Sequence, residues 1–145
     1  ADEGHHEFTY SLYPHAGNWR DAQAIRRGYE LNYGLTEMAV SHHEGMLPAQ
    51  HSFVQLRADN VVLTAVKNAE DNDGVVLRFY EWAGKEGDVT IQLPPGARSA
   101  SETDLMERPT GSLAIQNGST TIRTKAYEIK TLKVQFADAS GTGTK

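Results

Sequence analysis

Val75-Val76-Leu77-Arg78-Phe79-Tyr80-Glu81-Trp82-Ala83 follows the turn Asp71-Asn72-Asp73-Gly74, and that turn follows the β-prone run Asn60 to Ala69. The glycine supplies the positive φ that such a turn needs, so the two runs are predicted to form an antiparallel hairpin. Period two puts Val75, Leu77 and Phe79 on one face of the second strand and Val76, Arg78, Tyr80 and Trp82 on the other. Both faces therefore want cover. Arg, Tyr and Trp favour interfaces, and aromatic rings also stack on sugars, so Arg78, Tyr80 and Trp82 read as a docking face or a carbohydrate platform. A twisted sheet covering its own second face is the third account.

Working outward, Asp88 to Leu93 alternates Val89, Ile91 and Leu93 against Thr90 and Gln92 until Pro94-Pro95-Gly96 stops it. Ser112 to Gln116 and Ser119 to Arg123 flank Asn117-Gly118, a strong hairpin signal. Tyr127 to Phe136 closes the domain, with an apolar phase that slips between Ile129 and Leu132 and predicts a bulge or a change of sheet there. Toward the N-terminus, Glu7 to Tyr13 alternates Phe8, Tyr10 and Leu12 against Thr9, Ser11 and Tyr13 until Pro14 ends it. Asn18 is placed to cap a short helix with Ala22, Ile25 and Tyr29 on one side, weakened by Gly28. Leu35 to Val40 and Ser52 to Leu56 read as strands around a loop at Gly45 to Pro48. The expectation is an all-β fold, an antiparallel β-sandwich of about eight strands with one short helix or irregular excursion near residues 18–32. The domain is expected over 1–137, followed by a small polar tail over 138–145.

With 145 residues the chain can bury a core without disulfides or a structural metal, and it has no cysteine for either a disulfide or a thiolate site. A net charge of -5 and a pI near 5.6 argue against nucleic acid or an anionic membrane as partner. No apolar run is long enough to span a bilayer. Localisation stays open, with a soluble, cytoplasmic setting slightly favoured. The start at Ala1, without a methionine or leader, reads as a processing point or an excised boundary.

His5-His6-Glu7 and His42-His43-Glu44 carry zinc-type donors, but neighbours on a strand point to opposite faces and do not converge on one ion. His15, after Tyr13-Pro14, sits where loops place functional groups, although a histidine that simply hydrogen-bonds in the turn is the better reading than a catalytic one. Asp71-Asn72-Asp73-Gly74 resembles the opening of a calcium loop, yet Trp82 fills the position that needs a glutamate. Asn117-Gly118-Ser119 matches a glycosylation sequon that a turn accounts for. A glycosidase needs two carboxyls facing across a cleft, and the spacing of the acidic residues singles out no pair.

The stretch Asp2-Glu3-Gly4-His5-His6-Glu7-Phe8-Thr9-Tyr10-Ser11-Leu12-Tyr13-Pro14-His15-Ala16-Gly17-Asn18-Trp19 resembles the start of the C-terminal β-domain of glycoside hydrolase family 38 α-mannosidases. The resemblance continues in order through Tyr29-Glu30-Leu31-Asn32, Ser52-Phe53, Val61 to Lys67, Leu77 to Gly84, Thr103 to Glu107 and Tyr127 to Leu132. Tyr33-Gly34 departs from it, where a proline would be expected nearby. The resemblance implies a parent that hydrolyses α-mannosides with retention, its zinc-type divalent metal and carboxylate nucleophile held in a barrel domain upstream of a helical segment and β-domains like this one. It implies no catalytic centre, metal or cofactor in this chain. The expected partners are the catalytic and helical domains of that parent, met by Arg78, Tyr80 and Trp82 with Tyr13 and His15 next, as interdomain or substrate-cleft contacts. A mannoside-binding platform on the same face is the alternative, and a free-standing hydrolase using the His-Glu pairs is the third reading.

Overall fold

A computed structural model describes residues 2–136. The expected tail over 138–145 lies outside the described residues. The chain forms two compact units, Ala1–His43 and Glu44–Lys145. The first contains α1 (Ala24–Asn32), and the second contains β1 (Gln55–Arg57), β2 (Val61–Asn68), β3 (Val75–Glu81), β4 (Gly87–Gln92), β5 (Ala97–Thr103), β6 (Pro109–Leu113), β7 (Ser119–Thr124) and β8 (Ile129–Phe136). No described helix is long and apolar enough to cross a membrane.

The strands make two antiparallel sheets, ordered β2-β3-β8-β5-β6 and β1-β4-β7. Val61, Leu77, Phe79, Ala100, Leu132 and Val134 from the first meet Val89, Ile91 and Ile122 from the second, with Leu93 just past β4. This is the predicted sandwich. The alternation of Val75, Leu77 and Phe79 and of Val89 and Ile91 arises because each strand has one face on this core. The outer face of the three-stranded sheet is a polar ladder, with Asp88 opposite Arg123, Thr90 opposite Thr121 and Gln92 opposite Ser119.

The β2–β3 hairpin forms as expected, with Asn72 at φ 59 and Gly74 at φ 116 in the turn. Gly74 is obligatory there, because an added Cβ would lie 2.2 Å from the Val134 carbonyl oxygen. The outer face of β3 is partly covered by its own chain. Val76 is fully buried, in register between Lys67 and Lys133. Their aliphatic stems can lie along it while the ammonium groups reach Glu70, Glu107 and Asp71.

Several expectations need correction. Glu7 to Tyr13 and Leu35 to Val40 form no strand, and Ser52 to Leu56 shrinks to the three residues of β1. β5 was not foreseen, because its Ala-Arg-Ser-Ala-Ser-Glu-Thr run lacks large β-formers; it sits between two partners that supply the apolar contacts. The Asn117-Gly118 turn is real, at φ 50 and 72, but it closes only the bridge Gln116 to Ser119. β6 pairs with β5 and β7 pairs with β4, so the chain changes sheet at this turn where a two-stranded hairpin was expected. β8 runs without a bulge between Ile129 and Leu132, in unbroken register with β3. The phase slips because Lys130 occupies an inward position and turns its ammonium to Glu102 and Glu128, at 2.7 and 3.1 Å. The bulges lie elsewhere, at Thr64 in β2, Arg98 in β5 and Thr110 in β6.

The helix starts later than its predicted cap. Asn18 Oδ1 accepts from the amides of Arg20 and Asp21, at 2.8 and 3.1 Å, and so closes a preliminary turn. The residue before α1 is Gln23, in the left-handed region at φ 52. The inward side is as expected, with Ala22, Ile25 and Tyr29 half-buried and Arg27, Gly28 and Glu30 exposed.

Candidate functional site

The five candidate contact residues fall in both units, so they are described separately. In the first unit the Tyr13 and His15 rings lie 5.4 Å apart, and the Tyr13 hydroxyl donates to the Ala22 carbonyl at 3.2 Å. Together with Ser11 and the side of α1 bearing Arg27, Glu30 and Leu31 they line an open groove of about 550 Å³. Arg27 and Glu30 form an ion pair at 2.5 Å on its wall. A shallow wall of aromatic, imidazole and charged groups is suited to polar contact with another surface.

In the second unit β3 carries the other three residues to different fates. Arg78 is half-buried; its Nε donates to Thr131 Oγ1 at 3.0 Å and its terminal nitrogen donates to the Leu105 carbonyl at 3.1 Å. It thus fastens the Asp104–Arg108 turn against the sheet. Trp82 lies just beyond β3 and is only 5 % exposed, with its amide donating to the Asn60 carbonyl at 2.9 Å. Its ring is therefore covered within this chain, although period two places it on the outer face of β3. Tyr80 stays half-exposed on the outer face, in register with Val62 on one side and Ile129, 55 % exposed, on the other. Val62, Tyr80 and Ile129 form an apolar row at one end of the five-stranded sheet.

One residue of consequence was missed. Glu81 is fully buried and shares the parity of Leu77 and Phe79, which was the available signal that it turns inward. Its Oε1 accepts from Asn60 Nδ2 and the Ala83 amide at 3.0 and 2.8 Å. Its Oε2 accepts from the amides of Gly84 and Tyr127 at 2.8 and 2.9 Å. Burial pushes this carboxyl up, but the backbone amides, that of Tyr127 foremost, and the Asn60 side chain outweigh burial and hold it below its ordinary value. Glu81 thereby ties β3 to the turn before β8, where Tyr127 takes the left-handed φ of 58. Four donors leave this carboxylate no capacity for acid–base work on a substrate.

Glu107, Asp104 and Asp71 are also engaged. Lys67 holds the Glu107 carboxyl below its ordinary value, and the Arg108 amide does the same for Asp104 against a smaller opposing effect of burial. Asp71 is lowered by Lys133, while its Oδ1 accepts from the Asp73 amide at 3.1 Å within the hairpin turn. Among the described residues, no group of three or more His, Cys, Asp or Glu side chains could hold a metal ion. The His5-His6-Glu7 and His42-His43-Glu44 triplets are exposed in segments without regular structure.

Against this geometry, residues 60–132 match the model of the glycosyl hydrolases family 38 C-terminal beta sandwich domain. The chain belongs to that family. It is 33 % identical over 137 residues to human alpha-mannosidase 2C1, a match covering 91 % of this chain and 13 % of the relative. Alpha-mannosidase G of Dictyostelium discoideum is 31 % identical over 143 residues, covering 92 % of this chain and 13 % of that protein. A putative mannosylglycerate hydrolase of Halalkalibacterium halodurans is 25 % identical over 132 residues. The chain spans about an eighth of the length of the two α-mannosidases it matches. The matched range takes in β2 to β7 and the first half of β8, including the Glu81 network and the row Val62, Tyr80 and Ile129.

Proposed function

We propose that this chain is a non-catalytic module of a retaining α-mannosidase, packing on the catalytic and helical parts of its parent and supporting them. The observation that carries this reading is membership in the C-terminal sandwich family by a chain that matches only 13 % of the length of its α-mannosidase relatives. The chemistry of the chain supports it. Retaining glycosidases need two carboxyls facing each other across a cleft, whereas Glu81, Asp104 and Glu107 are committed to amides and cations of their own unit. The zinc-type divalent ion that the resemblance implies would belong to the catalytic part, where it would polarise and orient the sugar. No residue of this chain is assigned to it.

The face we assign to docking is the accessible part of that row, Tyr80 and Ile129, with Val62 buried beside them and the Tyr13 and His15 groove as a further contact. Burial of Trp82 removes it from that surface and takes the main stacking ring from the mannoside-platform reading. Substituting Ile129→Asp in the full-length enzyme should lower activity or the temperature of interdomain unfolding. In the 145-residue chain the same change at an exposed position should alter stability by less than about 0.5 kcal/mol. Full activity and unchanged unfolding of the full-length variant would remove the assignment.

A further inference from the structure

We infer that Glu7-Phe8-Thr9-Tyr10-Ser11-Leu12-Tyr13 is a β-strand donated to a sheet in the remainder of the parent polypeptide. This rests on the reading of the chain as a module of a larger enzyme and adds how the module is attached. Phe8, Tyr10 and Leu12 alternate with Thr9, Ser11 and Tyr13, the pattern of a strand with one buried face. Yet Phe8, Tyr10 and Leu12 are 79, 86 and 89 % exposed, and the segment joins no ladder within its own unit. The Phe8 and Tyr10 rings lie 6.5 Å apart, so these two apolar positions are neighbours on one side of the segment.

An uncharged strand from Phe8 to Tyr13, without a proline or lysine to guard its edge, invites indiscriminate pairing when left open. Such a pattern implies a built-in acceptor. The relatives supply the room for one: the alignments reach far outside the sandwich model at 60–132, so most of the sequence ahead of the sandwich has a counterpart in chains of which it is a small part. An acceptor on the same polypeptide is favoured over a second copy, because tethering gives a high effective concentration for pairing. The acceptor chemistry follows from the strand. It is a sheet edge with free amides and carbonyls, beside an apolar groove deep enough for two aromatic rings and a leucine.

Amide hydrogen exchange of peptides covering residues 7–13 tests this, measured in the full-length enzyme and in the 145-residue chain. The expected result is exchange at least about 100-fold slower in the full-length enzyme, unchanged when that enzyme is diluted to a monomer. Equal exchange in both would overturn the inference. So would slow exchange already present in the 145-residue chain, which would place the acceptor within it, or protection lost on dilution, which would make the acceptor a second copy. Hydroxyl-radical labelling of Tyr80 and Ile129 in the same samples separates two failures. If those side chains are shielded in the full-length enzyme while 7–13 exchanges freely, the strand assignment falls and the module reading stands. If neither is protected, both fall.

Discussion

Replacing Glu81 by Gln should be among the most damaging isosteric changes available to this domain. Each carboxylate oxygen takes two donors, Asn60 Nδ2 and the Ala83 amide on one, the Gly84 and Tyr127 amides on the other. A glutamine keeps one oxygen, so whichever way it turns, two donors face an NH2 group in a fully buried site. Losing two charge-assisted bonds with the donors left buried should cost about 3–5 kcal/mol. Urea unfolding of the 145-residue chain measures it, as a lower midpoint with an unchanged slope. The pH dependence gives an independent check. The Glu81 carboxyl is held below the ordinary glutamate value of 4.5, so its contribution is complete above that value and is lost as pH falls through the lower folded-state value. The gap between wild type and E81Q should therefore be widest above pH 4.5 and narrow below it. A loss under about 1 kcal/mol, or a gap that does not depend on pH, would refute the four-donor account.

Other substitutions separate backbone constraint from charge. Gly74→Ala forces a Cβ against the Val134 carbonyl oxygen at a φ that side chains avoid, and should lower stability by about 2–4 kcal/mol in the same urea assay; a neutral result would mean that the turn relaxes freely. Lys133→Met keeps the stem over Val76 and leaves Asp71 in solvent, so it should stay within about 1 kcal/mol of wild type, and a larger loss would show that the ion pair itself holds the turn.

The parts of this fold that were legible in the sequence are those where one chemistry decides. Asn72 and Gly74 at positive φ marked the hairpin, and the alternation of Val89 and Ile91 marked a strand buried on one face. β5 escaped because a run of alanine, serine and threonine says little alone; its place is set by β8, which lies beside it and is read last in the chain. Lys130 hid the phase of β8, since a charge on an inward position looks like a slip until its two glutamate partners are seen. Trp82 and Glu81 show the same limit from the two sides of a strand end. Alternation placed the tryptophan on the outer face as a docking side chain, but its ring is only 5 % exposed, covered by groups that the sequence does not place beside it. Parity would have placed the glutamate inward, but its four donors come from residues that only the fold brings together.

In the full-length enzyme, Tyr80 and Ile129 should be covered by the rest of the polypeptide. Hydroxyl-radical footprinting reads it directly, by comparing side-chain oxidation rates at Tyr80 and Ile129 in the 145-residue chain and in the full-length protein. The account predicts that both rates fall in the full-length protein; equal rates in the two would contradict it.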